Sequence, residues 1–338
     1  MAPTTRVTPA IETTGLVKRF GSVTAVGGVD LTVARGDVFG FLGPNGAGKT
    51  TTIRMLLALL RPSAGTIRLL GEPVHPGAPS LGRVGALVER PAFYPYLSAA
   101  ENLRLLGAAG GVRGEVARSA IVESLERTDL TSVAGRKVGG FSTGMRQRLG
   151  ISFALLHRPA VVILDEPTNG LDPSGVVEVR ELIAGLAHDG TTVFLSSHVL
   201  TEVEQLCDHV AVLRRGRVVA QGRTRDLIGG RERLLVRFDS TTEAQAAGTV
   251  LVTAAFEVEP EPAPGRAGGG PAGEPTGWFV DARAADGSRV ARVLGEAGIF
   301  PAELSVDRPS LEDVFLELTG DVPGPDGAVD LGSKSEPT

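Results

Sequence analysis

Val38-Phe39-Gly40-Phe41-Leu42-Gly43-Pro44-Asn45-Gly46-Ala47-Gly48-Lys49-Thr50-Thr51-Thr52 is the stretch whose reading decides the fold. The apolar run Val38–Leu42 predicts a buried strand, and the residues from Thr51 to Leu57 predict a helix. Between them the spacing G-x-x-x-x-G-K-[ST] predicts a turn whose glycines let backbone N–H groups point inward around a phosphate. The helix N-terminus adds positive potential there. Asn45, Gly46, Ala47, Gly48, Lys49, Thr50 and Thr51 are the candidate nucleotide contacts. Lys49 supplies a point charge for the β- and γ-phosphates, and the Thr50 hydroxyl is placed to reach Mg²⁺. The stretch implies a nucleoside triphosphate ligand.

The bulk composition bounds the partners. A net charge of −5 over 338 residues leaves no footprint for nucleic acid, and none is expected as a partner. Lys18, Lys49, Lys137 and Lys334 are the only lysines, so one of four sits in the phosphate turn. Cys207 is the single cysteine, which fits a reducing compartment. Met1 to Arg6 lacks the apolar core of a signal peptide. The longest apolar runs, such as Met55 to Leu60, fall far short of the roughly 18–20 residues that cross a bilayer. A cytoplasmic location is expected, with any membrane role arising through a partner.

From residue 11 to about 225, short apolar strands alternate with amphipathic helices, which predicts an α/β layered core. Strands are expected at Thr66–Leu70, Val84–Val88, Val161–Asp165, Thr192–Ser197 and His209–Leu213, with a final hairpin turning at Arg215-Gly216. Residues 98–158 read as an inserted helical subdomain. Beyond Arg231, strands at Leu234–Phe238 and Trp278–Asp281 and helices at Asp286–Ala297 and Ser310–Leu318 predict a small α+β appendage. The Pro- and Gly-rich residues 260–277 read as a flexible insertion, and residues 1–10 and 321–338 as flexible ends.

Val161-Val162-Ile163-Leu164-Asp165-Glu166-Pro167 is a strand ending in two carboxylates. Asp165 is placed to hold Mg²⁺, directly or through water, and Glu166 to orient and deprotonate a water attacking the γ-phosphate. Phe141-Ser142-Thr143-Gly144-Met145-Arg146-Gln147-Arg148 precedes it, with Ser142 suited to cap a helix. With this segment added, the chain resembles the ATP-binding subunits of ABC transporters. The family signature reads L-S-G-G-Q; here Ser142 and Gly144 are kept, while Thr143 and Met145 depart from it. The resemblance covers residues 11 to about 228. It implies a P-loop core of the ABC ATPase type over 11–228, and the change of sequence pattern beyond it marks an accessory α+β domain over 229–320.

The same resemblance implies roles for further residues. Ser142, Thr143 and Gly144 are expected to face the nucleotide of a second subunit. Asp172, in Gly170-Leu171-Asp172-Pro173, is expected to help couple the two sites of a dimer. His198, after Ser196-Ser197, resembles the family's switch histidine and would contact the γ-phosphate and the attacking water. Phe20 matches the aromatic that stacks on adenine. Glu89 stands where the family has a Gln that senses Mg²⁺ and touches the membrane partner; a Glu there is similar to bacitracin and bacteriocin self-protection exporters. A carboxylate at that position accepts hydrogen bonds only and attracts Mg²⁺ more strongly. Pro309 to Gly320 also resembles the end of antibiotic-exporter ATPases.

The function so implied is that of an ATP-hydrolysing motor subunit of an exporter. It would serve drug, antibiotic or peptide efflux, acting as a homodimer or with a paired ATPase subunit on a separate membrane permease, at the inner face of the cell membrane, with ATP and Mg²⁺ as cofactors. Two alternatives stay open on the sequence: an ABC ATPase acting on ribosomes or nucleic acid without transport, and a regulatory ATP sensor.

Overall fold

The computed structural model describes residues 8–88, 92–228, 233–261, 276–307 and 310–319. Glu89, most of the 260–277 insertion and the 321–338 tail lie outside them. The chain divides into two compact units, one running to Thr224 and the other beginning at Arg225.

The first unit begins β1 (Ile11–Phe20), β2 (Val23–Val33), β3 (Val38–Leu42), α1 (Lys49–Leu56), β4 (Ala64–Leu69), β5 (Glu72–Pro73) and β6 (Val84–Leu87). It continues with α2 (Ala99–Ala109), α3 (Gly114–Arg127), α4 (Thr143–Leu155), β7 (Val161–Asp165), α5 (Pro173–His188) and β8 (Thr192–Ser197). It closes with α6 (Leu200–Leu206), β9 (His209–Arg214) and β10 (Arg217–Arg223); α7 (Thr224–Ile228) straddles the boundary.

Six strands form the central sheet in the order β10-β9-β3-β8-β7-β6, parallel except for the β9–β10 hairpin. All residues of β3, β7 and β8 are buried, as expected for parallel strands covered on both faces. Phe39 stacks on Phe194 across the β3–β8 pair, with ring centroids 5.7 Å apart. Gly40 lets α6 lie flush on β3: a Cβ there would stand 2.5 Å from Val203 Cγ1 and 3.0 Å from Cys207 Sγ. Cys207 is buried, and burial pushes its thiol pKa well up.

The alternating α/β reading misses the start of this unit. There β1, β2, β4 and β5 make a separate antiparallel sheet in the order β2-β1-β4-β5. Glycines and register shifts inside β1 and β2 break the period-2 pattern that marks a strand. The buried face of this sheet (Ile11, Leu16, Val26, Val29, Leu31) joins Phe41, Ile53 and Leu213 in one core.

Helices α2, α3 and α4 share their own core of Leu103, Ile121, Leu125, Leu149 and Phe141. Ser98 starts α2 with a reciprocal capping box: its Oγ accepts from the Glu101 N–H, and the Glu101 carboxylate accepts from the Ser98 N–H at 2.8 Å. Among the described residues, no helix is long and apolar enough to cross a membrane.

The second unit comprises β11 (Arg233–Arg237), α8 (Thr241–Thr253), β12 (Val258–Pro260), β13 (Gly277–Val280), α9 (Gly287–Glu296), β14 (Glu303–Asp307) and α10 (Leu311–Thr319). Its antiparallel sheet has the order β12-β13-β11-β14. Leu234, Val236 and Val280 of the sheet pack with Ala247, Leu251, Val290 and Leu294 of α8 and α9. Trp278 lies over Gly248, where a Cβ would stand 2.6 Å from its ring, and its Nε1 donates to the Ala244 carbonyl at 2.6 Å. Sequence patterning shows β11, β13, α9 and α10 but not α8, β12 or β14. Helix α8 is built largely of Ala, Thr and Gly, so its apolar stripe is faint.

Gly65 makes the antiparallel sheet testable. Its φ is +86°, and a Cβ would meet the Gly15 carbonyl oxygen at 2.3 Å. Gly65→Ala is expected to destabilise this sheet by about 2 kcal/mol or more. Thermal unfolding followed by circular dichroism should show a midpoint lower by several degrees.

Candidate functional site

The carboxyl ends of the parallel strands meet at one edge, because the register aligns them. Leu42 pairs with Ser197, and Asp165 with Ser196. Each strand therefore releases its loop at the same level, where open α/β sheets bind ligands.

From β3 the chain enters the turn that opens α1. Gly48 is the helix N-cap at φ +109°, and a Cβ there would stand 2.6 Å from the Ala25 carbonyl oxygen, so only glycine fits. The turn is braced from behind by backbone bonds. The Gly216 N–H donates to the Ala47 carbonyl at 2.9 Å, and the Gly27 N–H donates to the Gly216 carbonyl at 2.7 Å. Asn45 and Gly46 form the tip, and a Cβ at Gly46 would meet nothing within 4 Å. Thr51 lies in the first turn of α1.

Lys49, only 6% exposed, donates to the Gly43 carbonyl at 2.6 Å and lies 3.1 Å from Glu166 Oε1. A buried ammonium requires such partners. On its other oxygen Glu166 meets His198 Nδ1 at 2.7 Å. When the carboxylate accepts in this contact, it is Nδ1 that donates, and Nε2 faces away from Glu166. Lys49, Glu166 and His198 thus form one connected chain of side chains.

Next to it stands a second set. Thr50 Oγ1 donates to Asp165 Oδ2 at 2.8 Å, and Ser196 Oγ donates to Asp165 Oδ1 at 2.5 Å. The same Ser196 oxygen accepts from the Glu166 N–H at 3.0 Å. Glu166 itself has φ +50°, an uncommon conformation for a residue with a side chain. Ser196 therefore fixes both carboxylate residues, Asp165 by its side chain and Glu166 by its backbone. Its role is not read from the motif alone. The signal for it is its place opposite Asp165 in the β7–β8 register.

The oxygens of Thr50 and Asp165 suit a hard cation such as Mg²⁺. No group of three or more His, Cys, Asp or Glu among the described residues is arranged to hold a metal. An ion held by two protein oxygens, with substrate phosphates and water completing its shell, matches the usual Mg²⁺ pattern.

The remaining sequence candidates within the described residues make local contacts rather than bonds to this cluster. Ser142 caps α4, its Oγ accepting from the Met145 N–H at 3.2 Å, with Thr143 and Gly144 in the first turn. A Cβ at Gly144 would stand 3.9 Å from Leu171 Cδ2, so the start of α4 lies beside the loop that follows Glu166. Asp172 caps α5, accepting from the Gly175 N–H at 3.2 Å and the Ser174 hydroxyl at 3.0 Å. Phe20 is half exposed at the end of β1, with Lys18 Nζ 5.1 Å from its ring centroid.

Comparison with known proteins gives this arrangement a context. The family model described as ABC transporter matches residues 26–169. The bacitracin transport ATP-binding protein BcrA of Bacillus licheniformis is 39% identical over 313 residues, 92% of this chain and 97% of that protein. The daunorubicin/doxorubicin resistance ATP-binding protein DrrA of Streptomyces peucetius is 36% identical over 323 residues, 94% of each chain. Among solved structures, the ADP conformation of an ATP-binding cassette of an ABC transporter superposes with a TM-score of 0.60 at 26% identity. That match covers 64% of this chain and 91% of the cassette.

Ser196→Ala would leave the Glu166 N–H without its partner and Asp165 with one donor fewer. The expected result is a fall in ATP turnover of about tenfold and a stability loss of about 1–3 kcal/mol. Steady-state ATP hydrolysis and thermal unfolding of the same preparation check both.

Proposed function

Because the chain belongs to the ABC transporter ATP-binding family, we propose that this ATPase is the motor subunit of an exporter for antibiotic-like small molecules. Two copies would enclose two ATP molecules and drive a separate membrane permease at the inner face of the membrane. The single observation that supports its chemistry best is the bridge that Glu166 makes between Lys49 and His198, beside the Thr50–Asp165 pair. The export assignment is supported by the relatives' extent. Alignments of 313 and 323 residues exceed the first unit and must run into the second.

In this reading the turn from Gly43 to Thr50 wraps the β- and γ-phosphates with its N–H groups. Lys49 exchanges its contact with Glu166 for a phosphate oxygen. That exchange frees Glu166 Oε1 to accept a proton from the attacking water as the bond from the γ-phosphorus to the ADP oxygen breaks. His198 holds the other carboxylate oxygen and keeps Glu166 aimed. Mg²⁺, held by Thr50 and Asp165, would neutralise charge on the phosphates. Ser142, Thr143 and Gly144 of the second copy would offer a helix N-terminus to the γ-phosphate, and Asp172 would link the two sites. Phe20 presents an open aromatic face for adenine. Glu89 and the 98–158 helices are assigned to the permease contact, and the second unit to stabilising or regulating the dimer.

Glu166→Gln keeps the shape and removes the base. ATP turnover should fall by a factor of about 10²–10⁴, while size-exclusion chromatography in ATP and Mg²⁺ shows a dimer that wild type forms only transiently. Retained turnover in the variant would refute the assignment of Glu166 as base. Truncation after residue 228 should leave nucleotide binding intact and weaken the dimer or the transport it drives. Unchanged dimerisation and unchanged drug export with the permease would remove the role assigned to the second unit.

A further inference from the structure

Behind the catalytic cluster lies a joint that the charges at its front do not require. Thr168, in the loop leaving Glu166, donates its hydroxyl to Glu202 Oε2 at 2.6 Å. Glu202 is on α6, four residues beyond His198. The Asn169 N–H turns back to the Glu166 carbonyl at 3.2 Å, which keeps Thr168 close under Glu166. The chain therefore closes a ring: Glu166 to His198 by side chains, His198 to Glu202 through the start of α6, Glu202 to Thr168 by a hydrogen bond, and Thr168 back to Glu166.

A third element enters the same place. Arg180 of α5, the helix capped by Asp172, lines a small pocket with Thr168, Ser197, Glu202 and Val203. Its Nε is buried without a hydrogen-bond partner in the structure. Three elements thus line one small pocket: the loop carrying Glu166, the helix after His198, and the helix that starts at Asp172.

We propose that Glu202 is a positioning residue for ATP hydrolysis, acting through Thr168 to hold the Glu166 loop and the His198 segment in register. The inference rests on the assignment of Glu166 and His198 as the hydrolytic pair, but its own evidence is the Thr168–Glu202 bond. Ser196 ties the strand ends in front of the two segments. Beyond them, the loop after Glu166 and the start of α6 meet through the Glu166–His198 contact, which must loosen and re-form as substrate arrives, and through the Thr168–Glu202 bond. With it, the carboxylate and the imidazole return to the same geometry on each turnover. Glu202 touches neither ATP nor water in this scheme, so the cost of its loss falls on kcat and spares nucleotide affinity.

The test compares wild type with Glu202→Ala, Glu202→Gln, Thr168→Val and the Glu202→Ala/Thr168→Val pair, all in the full chain. Glu202→Ala and Thr168→Val should each lower kcat by about tenfold and move KM for ATP by less than about twofold. Glu202→Gln keeps an oxygen that accepts from Thr168 and should stay within about twofold of wild type. The double variant should be no worse than either single one. Additive losses, equal damage in the Gln and Ala variants, or a rise in KM matching the fall in kcat would each overturn the proposal.

Hydrogen exchange gives a readout independent of turnover. Amides at 166–171 and 197–199 should exchange faster in Glu202→Ala but not in Glu202→Gln, with β3 unchanged in both. Unaltered exchange in those two segments overturns the joint, whereas loss of activity in Glu166→Gln bears only on the assignment of the base.

Discussion

The register of three parallel strands is the constraint on which the site depends. Leu42, Asp165 and Ser197 end β3, β7 and β8 at one edge, and hydrogen bonds between neighbouring strands leave no freedom to slip by one residue. A slip would turn Asp165 from the Thr50 hydroxyl and carry Ser196 away from the Glu166 N–H. The buried faces of these strands, packed through Phe39, Phe41 and Phe194, hold that register by the area they remove from water. Core packing and the alignment of the side chains at this edge are therefore one property seen at two distances.

Charge is arranged with similar economy. Lys49 is buried among carbonyl oxygens and one carboxylate, so its positive charge is held in place before any phosphate arrives. Only a partner exchange is needed when an anion enters, and the turn itself keeps its shape through Gly216 and Gly27 behind it. The antiparallel sheet thus supports the turn without contributing a side chain to the Lys49–Glu166–His198 cluster. Its backbone stands within van der Waals reach of the position where Gly48 lacks a Cβ.

What the sequence reveals and what it hides divides along physical lines. The phosphate turn, Asp165, Glu166 and His198 are legible because each follows a short apolar run and each motif is local. The antiparallel sheet is less so, because Gly15, Gly27 and Gly28 interrupt its alternation and its pairing depends on register shifts. Helix α8 hides for lack of large apolar residues, although Ser240 caps it in the ordinary way. Ser196 and Glu202 are silent for another reason. Their partners lie 31 and 34 residues away, and the contact exists only once β7 and β8 have paired and α6 has docked. Motif reading finds what a segment does by itself, and the supporting contacts belong to the assembled sheet.

The flush packing of α6 on β3 has a practical consequence. Gly40 admits Cys207 so closely that the chain's single thiol is enclosed, and burial disfavours the thiolate that alkylating reagents attack. Slow reaction of the native protein with maleimides is therefore the expected behaviour. A cysteine placed anywhere on its surface would be a unique attachment point for a spin label or fluorophore. The distance changes that accompany a turnover cycle can then be followed in the wild-type background, with no native cysteine to remove first.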